Sequence, residues 1–89
     1  MLEELLLFNM RFKALVREIL EEPSLDKFWD LLYEVESFAE EMSHEELKNL
    51  TEEYRIKADR REILLSTYTV SSLVSEIIKE DIRRHISPL

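Results

Sequence analysis

The chain reads as an all-α protein, a small four-helix bundle, and three observations carry that reading. Leu25, Phe28, Leu32, Val35, Ala39 and Met42 step by three and four, and so do Leu5, Phe8, Phe12, Leu15 and Ile19. Such spacing keeps an apolar stripe on one side of an α-helix. The 89 residues include no glycine and only two prolines, Pro23 and Pro88, so strong helix breakers are confined to two places. Short polar residues, Ser24 and Ser43, stand where helices would begin. The length allows one domain, residues 1–89.

The first helix is expected from about Leu2 to Glu21. A second row, Leu2, Leu6, Val16 and Leu20, lies beside its main stripe and is interrupted by Asn9 and Lys13. The apolar face is thus broad, as suits a helix facing a bundle core. Pro23 disfavours helical geometry in the residue before it and ends the element. The short connection that follows implies antiparallel packing of the next helix.

The second helix, Ser24 to Met42, is the central rod. Ser24 is its expected N-cap, and Asp26 sits in the first turn, where the positive end of the helix dipole favours a carboxylate. Leu31 and Phe38 widen the stripe, and Trp29 and Tyr33 flank it. Ser43 and Glu46 then have the spacing of a reciprocal capping box, which places a helix start at His44. The turn before it is tight and lacks glycine, so the second and third helices are expected to meet at a steep angle.

From His44 two forms compete. Leu47, Leu50, Tyr54 and Ala58 form a stripe that continues in phase through Leu65 and Tyr68. Asp59 and Glu62 offer a second capping box, dividing the segment into helices of about 44–57 and 60–86. The alternative is three helices with one long C-terminal helix, roughly 60 Å at 1.5 Å per residue, which two shorter helices could not cover. The divided form is preferred, because capping boxes mark helix starts reliably. Ser66, Thr67, Thr69, Ser71, Ser72 and Ser75 form a hydroxyl-rich stretch of weak helix formers, small enough for a neighbouring helix to approach closely. Lys79, Arg83, Arg84 and His85 suit the negative end of the last helix.

Net charge is −8, unevenly placed: residues 1–46 hold thirteen acids and four bases, residues 47–89 seven acids and eight bases. The simplest reading is that the two halves face each other. Heavy Glu, Lys and Arg use with no Gln and two Asn is thermophile-like, although helical bundles are Glu-rich and Gly-poor for their own reasons. The N-terminus starts with acids and has no long apolar run, so neither a secretory signal nor a membrane span is expected, and the protein is read as cytoplasmic.

The absence of glycine excludes phosphate loops and dinucleotide fingerprints. The absence of cysteine excludes thiol catalysis and Cys-based metal sites. His44-Glu45 opens like a zincin motif, but Lys48 stands where the second histidine belongs. Glu41 and His44 have the Glu-x-x-His spacing of di-iron bundles, a site that needs this pair twice. Asp81 and His85, one turn apart, read as a surface ion pair. No catalytic, cofactor or metal site is therefore expected.

What remains is interaction. Helices 1 and 2 carry faces wider than one neighbour covers, with Phe8, Phe12, Trp29 and Tyr33 among the candidate partner-binding residues. Helix 4 adds isoleucines and valines around more than half its circumference. Leftover apolar surface of that kind is usual at interfaces, and a two-fold homodimer is the commonest closed solution. Arg55, Lys57, Arg60 and Arg61 form a basic cluster on an acidic background. The expected function is a non-enzymatic protein–protein interaction module, a helical scaffold or regulatory subunit, with itself or another protein as partner. The alternative is a nucleic-acid-associated regulator using the cluster at 55–61, which is disfavoured by the interleaved Glu52, Glu53, Asp59 and Glu62.

Overall fold

The computed structural model describes residues 2–57 and 62–86, of which 92% are helical, in four helices with no strand. They are α1 (Leu2–Glu21), α2 (Leu25–Glu41), α3 (Glu45–Lys57) and α4 (Ile63–Ile86). The divided form is thus the observed one. The second capping box lies partly outside the described residues, because it needs Asp59.

The helices alternate in direction. At one end Leu5 of α1, Phe38 and Met42 of α2, His44, and Asp81 and Arg84 of α4 surround a single cavity. At the other, Pro23, Ser24 and Leu25 meet Ile63 at the start of α4. Around the bundle α1 lies between α2 and α4, and α3 between α2 and α4. Short connections and antiparallel neighbours go together, because a tight turn returns the chain alongside the helix it has just left.

The expected stripes form the core. Leu5, Phe8, Phe12 and Ile19 of α1 pack with Phe28, Leu31, Leu32, Val35, Phe38 and Ala39 of α2, with Leu47 and Leu50 of α3, and with Val70, Val74 and Ile78 of α4. Phe8 stacks on Phe38 with ring centroids 4.2 Å apart, and on Phe12 at 5.8 Å. Phe8 and Phe12 therefore fill the chain's own core and are not available to a partner. The apolar residues of α4 divide: Val70, Val74 and Ile78 are buried and Ile63, Ile77 and Ile82 pack against the core, whereas Leu64, Leu65, Tyr68, Leu73 and Ile86 stay exposed. Phe8 and Phe12 are covered because each helix is contacted on two flanks, while part of the apolar surface of α1 and α4 stays open.

In α4 the hydroxyl-rich stretch is continuous helix, with Ser66 and Thr67 buried. Thr51, buried on α3, donates its hydroxyl to the Lys48 carbonyl at 2.8 Å, whereas the Thr67 hydroxyl is buried with no hydrogen-bond partner.

The junction of α2 and α3 departs from expectation. Ser24 caps α2 as read, its hydroxyl accepting from the Lys27 N–H at 3.4 Å. Ser43 caps nothing. It sits in the left-handed region at φ 54, just beyond the end of α2. Its N–H donates to the Glu40 carbonyl at 3.3 Å, and the His44 N–H donates to the Ala39 carbonyl at 2.8 Å. These two bonds are the closing pair of a Schellman motif, with serine where glycine is usual. The N-cap of α3 is His44: its ring Nδ1 accepts from the Leu47 N–H at 3.5 Å, and its carbonyl accepts from the Lys48 N–H at 3.1 Å. The left-handed residue reverses the chain within two positions, so α3 returns along α2, with Glu36 and Glu40 beside Lys48, Thr51 and Arg55. Among the described residues no helix is long and apolar enough to cross a membrane.

Candidate functional site

Three of the residues singled out for partner binding converge. On α2, Trp29 and Tyr33 are one turn apart and stand on the flank turned toward α3. On α3, Arg55 projects back toward α2 and forms an ion pair with Glu36. Trp29, Asp30, Tyr33 and Arg55 together line an open recess of about 560 Å³. Tyr33 is 64% exposed and Trp29 37%, and the Trp29 ring is tilted against buried Phe28 at 6.2 Å between centroids. The indole is thus braced from below by the core while its outer side meets solvent.

The recess has a definite chemistry. Two aromatic faces supply contact area at little conformational cost. Arg55 adds a planar cation whose charge is balanced by Glu36, and Asp30 adds an acceptor. Trp, Tyr and Arg are the residue types that most often anchor protein interfaces. The Lys57 side chain, Arg60 and Arg61 lie outside the described residues, so of the basic cluster only Arg55 is placed, and it is engaged by an acid of the chain's first half.

The second polar assembly is at the far end of the bundle. His44 Nε2 lies 2.8 Å from Asp81 Oδ2, joining the start of α3 to the last turns of α4. A backbone N–H can only donate, so the capping bond leaves Nδ1 as acceptor and puts the ring proton on Nε2, which then donates to Asp81. Arg84 approaches the other carboxylate oxygen at 3.6 Å. His85 does not pair with the Asp81 carboxylate as the spacing implied; its Nδ1 lies 2.8 Å from the Asp81 backbone carbonyl. The two residues were visible in the sequence, but their pairing spans 37 positions, and no periodicity signals a contact of that range. Glu41 lies in the groove between α1 and α2, while the His44 ring turns to Asp81. Among the described residues no group of three or more His, Asp or Glu is placed to hold a metal ion.

No family model matches the chain, and neither a curated protein nor a solved structure matches it.

Proposed function

We propose that the protein is a non-enzymatic interaction module, a small helical scaffold or regulatory subunit, that engages another protein through the recess between α2 and α3. The observation that carries this reading is the convergence of Trp29, Tyr33 and Arg55 on one open surface. The Trp29 indole is braced by Phe28 beneath it, so a partner would meet an anchor already in its bound form, and little ordering cost would offset that contact. Arg55 is held by Glu36 in the free protein, and a partner carboxylate would have to share or displace that bond.

A photo-crosslinking amino acid in place of Tyr33, introduced into the full chain in its own cells, tests this directly. A discrete protein adduct, lost when Trp29 is also replaced by Ala, is the expected result. The absence of any protein adduct at Tyr33 would overturn the reading. The same proposal expects no micromolar affinity for DNA or RNA at physiological salt. A salt-sensitive gel shift, abolished by Arg60→Glu with Arg61→Glu, would put the nucleic-acid reading in its place.

A further inference from the structure

α1 carries a second stripe, on the side away from the core. Glu3, Leu7, Met10, Ala14, Arg17 and Glu21 step by four, three, four, three and four, and all six are exposed. Leu7 is 53% and Met10 69% exposed. An a/d-type row of this kind is the seam along which a second helix packs, with small Ala14 permitting close approach. The charges along it are ordered. Glu3 stands on it in the first turn, Arg17 past the middle and Glu21 at the end, with Glu4, Arg11 and Lys13 alongside.

We infer that the occupant of this stripe is the α1 of a second copy of the chain, running antiparallel about a two-fold axis between Leu7 and Met10. In that register Leu7 of each copy packs on Met10 of the other, and Glu3 meets Ala14 with Arg17 one turn beyond. Each end then pairs an acid of one copy with a base of the other. A parallel arrangement would set Glu3 on Glu3 and Arg17 on Arg17. The groove beside Leu7 continues the complementarity: Glu4, Glu34 and Glu41 outnumber the chain's own Arg11 along it, on the side from which the second copy's Arg11 arrives. Charge elsewhere points the same way. α2 holds six acids against one base, whereas α1 holds four against three, so two anionic copies approach with less repulsion along α1 than along α2. This extends the interaction-module reading to a second face and does not depend on the recess of Trp29 and Tyr33.

The contact is short, so it belongs to the small, weak class of interfaces, under about 1,200 Å². Sedimentation equilibrium of the purified full chain at about 200 μM suits that class. The expected mass is about twice 10.7 kDa. Met10→Glu, at a solvent-exposed position, should return the monomer with helicity unchanged. Glu3→Arg and Arg17→Glu should each weaken the dimer about fivefold, since two equivalent surface pairs are lost at once. The two together should recover most of the affinity, because the pair is restored with its signs exchanged. A monomer at this concentration would overturn the inference. So would a dimer indifferent to Met10→Glu, or charge reversals that fail to compensate each other. Crosslinking at Tyr33 is read separately, so either face can fail without the other.

Discussion

α2 and α3 lie side by side and are held by different physics. α2 buries Phe28, Leu31, Leu32, Val35, Phe38 and Ala39, and its position follows from area removed from water. Among its described side chains α3 buries Leu47, Leu50 and Thr51, on a helix of 13 residues otherwise dominated by charge. Its ends are fixed by polar ties instead: His44 to Asp81 at the start, and Arg55 to Glu36 near the finish. A helix of this length is marginal alone, so its order is supplied by its neighbours. The recess that carries the proposed function spans the two, with its aromatic floor on the firmly packed helix and its cation on the tethered one.

Breaking the packed side should have the largest effect. Phe28 is fully buried against the core and braces Trp29. Phe28→Ala should cost about 3–5 kcal/mol, a large part of the 5–15 kcal/mol that separates folded from unfolded in an ordinary domain. Urea denaturation should show the midpoint falling far or the folded baseline lost. A midpoint close to wild type would mean that α2 is not the element on which the fold depends.

Breaking the tethered side should cost less and act locally. His44→Ala removes the cap on the Leu47 N–H and leaves Asp81 with only distant Arg84. The expected loss is about 2–3 kcal/mol, the sum of a lost cap and a lost hydrogen bond to a charged group. Amide hydrogen exchange separates this from a global effect: α3 amides should exchange faster by more than those of α2. Equal acceleration in both helices would show that they unfold as one unit and would erase the contrast.

The same contrast explains what could be read in advance. The core rows of α1 and α2 and the cap at Ser24 were legible because each rests on neighbours within a few positions, whereas the row carried on through Leu65 and Tyr68 stands exposed. The division near residue 60 is present, while the Asp59–Glu62 cap from which it was expected lies partly outside the described residues. The free sides of Phe8 and Phe12 were misjudged, because a stripe gives its own width and not how many helices will cover it. Trp29, Tyr33 and Arg55 were each singled out, but their convergence needs the antiparallel return of α3 along α2. The tie from His44 to Asp81 is of the same long-range kind.

Ser43 gives the sharpest and smallest test, at the junction of the two helices. With Glu46 three positions on, the pattern matches a capping box, in which the serine hydroxyl would serve the start of α3. The backbone decides otherwise: φ of 54 marks the residue that closes α2, and the adjacent histidine takes over the capping of α3. A residue with a Cβ is held there against a steric penalty that glycine does not feel. Ser43→Gly should therefore stabilise the protein by about 0.5–1 kcal/mol, the steric relief exceeding the added freedom of the unfolded chain. Ser43→Ala should be nearly neutral, since the hydroxyl serves neither helix. The capping box requires the opposite pattern, with Ala losing about 1 kcal/mol and Gly gaining nothing. Melting temperatures of the two variants side by side distinguish the two: a rise for Gly with no fall for Ala places Ser43 at the end of α2, and a fall for Ala returns it to the start of α3.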